Sequence, residues 1–265
     1  MMCLGQAFTQ APQAVHFSSS TSGRPGVVWS TYDYYMEENG AFFGCRSANE
    51  VIHVQYNYAD GQIQVVNNSL ADYENAKVTA EIYNMDGSLV YTENKEINFE
   101  KSSVTDSFNL FNGGAHIKNN GSLSSVYFIR LKLTDANGNL LSENNYWRGK
   151  QDQNYTDLKN LGEASYSVSD LQKTDDGETT FVTFTVKNES SNLAFGTRVK
   201  MVRDNAAAGT DNRILPTFYS DNYFYLLPGE SKTITVEYDN EYLYGGNAQI
   251  VLSGLNTAEH VVSVK

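Results

Sequence analysis

The sequence predicts a mainly β protein made of two antiparallel β-sandwiches in tandem. Three observations carry this expectation: apolar residues alternate with polar ones over short stretches, two-residue turn signals recur between those stretches, and aromatic residues are abundant. Eighteen tyrosines and thirteen phenylalanines stand against four prolines in 265 residues. Aromatic rings suit a pleated, half-buried surface, and the length leaves room for two domains of ordinary size.

Residues 1–26 have little hydrophobic pattern, and SSSTSGRPG within them reads as an irregular stretch. Asn39-Gly40 then marks a turn into a short helix, with Ala41, Phe42, Cys45 and Ala48 on one face. Residues 1–50 are therefore assigned to an irregular N-terminus and one helix. From Val51 the period becomes two. Ile52, Val54, Tyr56 and Tyr58 alternate, Asp60-Gly61 signals a hairpin, and Ile63 with Val65 begins the return. Val78, Ala80 and Ile82 run up to Asp86-Gly87, and Tyr127, Ile129, Leu131 and Leu133 run up to Asn137-Gly138. This spacing predicts a first sandwich over residues 51–155.

GKQDQNYTDLKNLGE, residues 149–163, is polar and reads as a join. Beyond it, strands are expected at 181–186, 197–202, 214–219, 233–238, 249–252 and 260–264, giving a second sandwich over residues 156–265. VVNNSL at 65–70 and TVKNESS at 185–191 each end a strand in an Asn/Ser turn. That faint similarity agrees with duplication.

The formal charge of −12 argues against a nucleic-acid partner and against an anionic membrane surface, since both call for clustered Lys and Arg. No apolar run approaches the ~20 residues that span a bilayer. Residues 1–14, MMCLGQAFTQAPQA, lack the basic start and apolar core of a secretory signal. Cys3 and Cys45 lie ahead of both sandwiches and are read as unpaired thiols. His16, His53, His116 and His260 are too scattered for a metal site, so no metal or other cofactor is expected. His53 is read as a solvated or hydrogen-bonded strand residue. No Gly-rich phosphate loop and no G-x-S-x-G elbow is found in the sequence.

Paired carboxylates can serve as acid and nucleophile. Glu37-Glu38 and Asp175-Asp176 are adjacent pairs, read as exposed turn residues that titrate normally. Asp221 and Glu230 flank an aromatic corner and are read as turn and cap residues. Tyr32, Tyr34 and Tyr35 form one aromatic cluster; Tyr219, Tyr223, Phe224 and Tyr225 form another. Rings in a sandwich mostly pack its core, although exposed ring faces can stack on sugars.

Three stretches carry a family resemblance. WSTYDYYMEENGAFFGCRSANEVIHVQYNY at 29–58 is similar to the exit from a catalytic barrel, its last helix and the entry to a sandwich. NNYWRGKQDQNYTDLKNLGEA at 144–164 is similar to a join between sandwiches. ILPTFYSDNYFYLLPGESKTITVEY at 214–238, preceded by VKNESSNLAFGTRVKMV, resembles the last immunoglobulin-like domain of glycoside hydrolase family 2 enzymes of the exo-β-D-glucosaminidase and β-mannosidase type. The order of the three matches that family's C-terminal half.

The resemblance implies two tandem immunoglobulin-like sandwiches behind a helical remnant of a TIM barrel. It implies a parent enzyme that is secreted or periplasmic and acts on an amino-sugar or mannose-containing polysaccharide, with the catalytic barrel as the sandwiches' partner. A full barrel takes ~250 residues, whereas fewer than 60 precede the first sandwich, so neither catalytic glutamate is carried over. HFSSSTSGRPG at 16–26, just before Val27, stands where the family has a Trp/Asn-rich barrel strand, as expected of a truncated reading frame. Trp29, Tyr32 and Asp33 match positions near the barrel rim and would line the substrate entrance of an intact enzyme. Asp221, Asn222, Tyr223 and Phe224 serve as a family marker and are expected to be structural. Without a barrel, the Phe42, Cys45 and Ala48 face of the helix is expected to be exposed unless it refolds onto the first sandwich. The rival reading is a free-standing carbohydrate-binding or adhesion module.

Overall fold

A computed structural model describes residues 31–33, 35, 37–110, 121–151, 154–207 and 209–265. Trp29, Tyr34, Cys3, His16 and His116 lie outside them. The described helix α1 (Gly40–Ala48) starts where Asn39 places its Oδ1 against the amides of Ala41, at 2.9 Å, and Phe42, at 3.2 Å. A side-chain oxygen in that position satisfies amides that have no partner within the helix.

Among the described residues seven strands follow: β1 (Ile52–Tyr56), β2 (Gln62–Asn67), β3 (Tyr73–Asn84), β4 (Leu89–Phe99), β5 (Ser103–Asn109), β6 (Val126–Thr134) and β7 (Leu140–Gly149). They form two antiparallel sheets, in the orders β1-β2-β5 and β4-β3-β6-β7. Val54, Tyr56, Ile63 and Val65 from the first sheet share a core with Val78, Ile82, Ile129 and Leu131 from the second. This is the two-layer packing that period-two alternation demands.

The remaining strands are β8 (Tyr166–Asp175), β9 (Thr179–Asn188), β10 (Ala194–Arg203), β11 (Thr217–Tyr219), β12 (Phe224–Leu226), β13 (Ser231–Asp239), β14 (Ala248–Gly254) and β15 (Thr257–Ser263). Their sheets run β12-β10-β14-β15 and β11-β13-β9-β8. Val182, Phe184, Val199, Met201, Ile234 and Ile250 lie in the core between them. Both sandwiches have the immunoglobulin-like architecture.

Contacts divide the chain into two compact units, and among described residues the division falls within α1: residues 44–160 form one unit, and residues up to Phe43 belong with 161–265 in the other. Phe43 is buried in the core of the later unit, and Phe42 packs against it. The expectation of an exposed helix face is thus corrected. Ala41 and Ala48 are buried, Phe42 and Cys45 half-buried, and Phe43, which the one-face reading omitted, is buried too. A helix with apolar residues on more than one side must bury more than one side. Cys45 carries a free thiol, and burial raises its pKa.

His53 is also corrected in part. It is not solvated: it is fully buried, with Nε2 3.2 Å from Asn144 Nδ2. Asn144 also donates to the Val54 carbonyl at 3.3 Å, while the Ser142 and Tyr146 hydroxyls accept from the amides of Val54 and Tyr56 at 3.2 and 3.1 Å. Side chains of β7 thereby satisfy the backbone along the open edge of β1, which a buried edge requires. Strand 214–219 is shorter than expected. The Ile214 amide bonds to the Met201 carbonyl of β10 at 3.0 Å, and only Thr217–Tyr219 pairs with β13. Pro216 has no amide hydrogen to give, and the chain crosses from one sheet to the other at that point.

Candidate functional site

Of the two sequence regions expected to matter, the described residues 31–33 of the first meet the corner at 221–224 on the later unit, through a carboxylate that the sequence reading took for an exposed turn residue. The meeting point is Glu37. Its carboxylate is 5% exposed, accepts from Arg198 Nη2 at 2.6 Å through Oε1, and accepts from Arg213 Nη1 at 2.7 Å through Oε2. A buried charge needs such partners, because water that would otherwise stabilise it has been removed. Glu37-Glu38 is therefore not an exposed turn pair: both residues are buried.

Asp33 holds the approach to Glu37. Its Oδ1 accepts from the amides of Tyr35 at 2.8 Å and Glu37 at 3.0 Å, and its Oδ2 lies 3.3 Å from Arg213 Nη1. The Tyr32 ring lies 5.4 Å from that of Phe42, tilted by 54°, and Arg213 lies 4.2 Å above the Tyr35 ring. Asp211 completes the cluster with a 2.7 Å contact to Arg213 Nη2. The hydrogen bond from Arg213 is the main reason the Asp211 carboxyl is pulled down to about 2.

The corner reaches the same cluster through Tyr223. The Tyr223 ring is 6.1 Å from that of Phe43 and 5.8 Å from the Arg198 guanidinium. Tyr223 has a backbone φ of 59°, in the left-handed region that side chains seldom occupy. Its neighbour explains how that is held. Asn222 accepts from the Val199 amide at 2.8 Å and donates to the Val199 carbonyl at 2.9 Å, so its side chain pairs with β10 as a strand residue would. Asn222 Oδ1 also accepts from the Tyr223 amide at 3.0 Å. Tyr219 continues the edge, its hydroxyl accepting from the Met201 amide at 3.0 Å.

Asp221 accepts from the Asn222 amide at 2.8 Å and forms an ion pair with Lys232. Glu230 accepts from the Leu227 amide at 2.8 Å. Both carboxylates are spent on local turns. Phe224 is buried in β12 and belongs to the core. Asp175 and Asp176 are exposed as expected, but their pKa values are lowered rather than ordinary, because they accept backbone amides of their own turn: Gly177 for Asp175, Thr179 and Glu178 for Asp176. Among the described residues no group of three or more His, Cys, Asp or Glu is placed to hold a metal ion. The arrangement is suited to anchoring a segment of chain, and it offers no pair of free facing carboxylates for bond cleavage.

Comparison with known proteins agrees with that reading of the fold. Residues 60–151 match a family model described as a mannosidase Ig/CBM-like domain, and residues 144–257 match one described as an exo-β-D-glucosaminidase Ig-fold domain. These are C-terminal-type immunoglobulin-like domains of glycoside hydrolase family 2. An exo-β-D-glucosaminidase of Streptomyces avermitilis is 32% identical over 267 residues, which take in 91% of this chain and 28% of that protein. An exo-β-D-glucosaminidase of Amycolatopsis orientalis is 29% identical, with 88% of this chain and 24% of that protein covered. The crystal structure of the A. orientalis exo-chitosanase CsxA superposes with a TM-score of 0.75 at 27% identity, covering 89% of this chain and 29% of that one. The chain thus spans under a third of each of these glycosidases. Tyr32, Asp33 and the Asp221–Phe224 corner all lie in the later unit, held together by Glu37, Arg198 and Arg213. Glu37 reads in the sequence as half of an adjacent carboxylate pair, and two arginines more than 150 residues away carry no local signal that could have paired them with it.

Proposed function

We propose that this chain is the non-catalytic β-sandwich portion of a family 2 exo-glycosidase, and that its last sandwich fixes the segment through which the chain leaves a catalytic barrel. The supporting observation is buried Glu37 bridging Arg198 and Arg213. Such a bridge costs desolvation and gives little net stability, but it is strongly selective for one docked geometry. Similarity to exo-β-D-glucosaminidases supports an amino-sugar polymer as the substrate of the intact enzyme, and a secreted or periplasmic location goes with a polymeric substrate. Tyr32 and Asp33 would then sit at the approach to the substrate entrance, with Trp29 just before them.

Two measurements test this reading. The chain incubated alone with chromogenic β-glucosaminide and β-mannoside should release no chromophore above background; turnover would overturn it. Glu37→Gln should leave both arginines short of a charge partner and release residues 31–43 to limited proteolysis. The cost is about 2–3 kcal/mol, less than for a fully buried pair because Arg198 keeps some contact with water. Unchanged cleavage of that segment would count against the anchoring role.

A further inference from the structure

The sheet β11-β13-β9-β8 presents an outer face directed away from the core. It carries an arrangement that the packing of the sandwich does not use. Phe218 of β11 is in register with Glu237 of β13, and Glu237 with Phe181 of β9. All three point outward, since their strand neighbours Thr217, Tyr219, Val236, Tyr238 and Val182 are buried. Phe218 is 51% and Phe181 39% exposed, an unusual state for two large rings on one row of one sheet. Each lies one strand from Glu237, so the rings stand two strand spacings apart, about 9.6 Å.

Below this row the face is hydroxylated. Thr183 and Thr235 bond across the strands at 3.1 Å, and Thr185 and Thr233 at 3.3 Å. No bulky side chain rises between the threonine pairs, so a ligand lying over the phenylalanine row meets no obstruction from them. Glu237 forms no ion pair among the described residues, and Asp239 lies two residues further along the same strand. The negative charge at this end of the sheet fits a polycation.

We propose that this face is a binding site for a β-1,4-linked amino-sugar chain running across the strands. In such a chain each pyranose is turned over relative to its neighbours, so alternate sugars show the same apolar face. Two strand spacings match the span of two β-1,4-linked pyranoses, which puts alternate sugars over Phe218 and Phe181. The sugar between them places its ammonium group near Glu237. The choice of an amino sugar rests on the proposed function, whereas the ring spacing and the hydroxylated platform do not.

The test is calorimetric titration of the 265-residue chain with a glucosamine hexamer and with a neutral β-1,4-linked glucose hexamer. The native chain should bind the glucosamine hexamer more tightly than the neutral one. Phe181→Ala and Phe218→Ala should each weaken both by about three- to tenfold. Glu237→Gln should weaken only the glucosamine hexamer, by about two- to fivefold. These side chains are exposed, so circular dichroism should show all three variants folded. No binding by the native chain, equal binding by the variants, or an effect of the phenylalanine changes on self-association alone would overturn the inference. Failure here would leave the anchoring role untouched, and hydrolysis by the chain alone would overturn that role without touching this one.

Discussion

Asn222 shows how much one polar side chain can determine. It occupies the stretch of β10 between the pairing with Phe224 and that with Arg213, and supplies both halves of a backbone pair to Val199. Asn222→Ala leaves a buried amide and a buried carbonyl unmatched, at roughly 1–3 kcal/mol each. Urea denaturation of that variant should therefore show a loss of about 2–5 kcal/mol in the later unit. Tyr223 beside it gives a pH signature. Burial is the main reason its phenol is pushed up to about 12. A tyrosine neutral in the folded state and ordinary in the unfolded one, near 10, contributes stability that is fully present below pH 10. That contribution is lost as pH rises from about 10 through about 12. Tyr223→Phe should flatten the fall of the urea midpoint over that window, and an unchanged pH profile would show that another group governs it.

At the scale of elements, the clearest finding is a turn used twice. Asn67 at the end of β2 accepts from the Ser69 amide at 2.9 Å and hydroxyl at 2.7 Å, and donates to the carbonyls of Ala71 at 2.8 Å and Glu100 at 2.9 Å. Asn188 at the end of β9 accepts from the Ser190 amide at 3.1 Å and hydroxyl at 2.7 Å, and donates to Asn192 at 2.7 Å and Leu226 at 3.1 Å. The weak likeness between VVNNSL and TVKNESS was therefore a readable trace of one hydrogen-bonded motif present in both sandwiches. Replacing either asparagine by aspartate removes the donors while keeping the shape, and should cost about 2 kcal/mol in its own sandwich only, read by denaturation. The turns were legible for a similar local reason: Gly61, Gly87, Gly138 and Gly229 all have positive φ, which the Asp-Gly, Asn-Gly and Pro-Gly pairs announce. β8 was not legible. Only Tyr166 in it is buried, and the ladder breaks between Ser169 and Gln172, so no period survives to be counted. The anchor was illegible for the opposite reason, since its geometry depends on contacts between residues far apart in sequence.

For the molecule as a whole, two cores imply two unfolding events. The earlier core is built on residues such as Tyr56 and Ile129, the later on residues such as Phe184 and Ile250, with Phe43 joining the later one. Phe43→Ala should remove about 3–5 kcal/mol from the later sandwich. Differential scanning calorimetry should show one transition moving down while the other stays, and equal shifts in both would argue against separate cores.

The position of Glu37 also bears on synthesis. Arg198 and Arg213 are made 161 and 176 residues after it. A ribosome emitting this chain would thus release the earlier sandwich complete while residues 31–43 still waited for their binding surface. Long-range closure of this kind is slow, and it comes last. The anchor cannot close until the chain has been made past Arg213, and a nascent chain halted before Arg198 would lack most of the core that buries Phe43, leaving that ring in a form that chaperones and proteases can recognise.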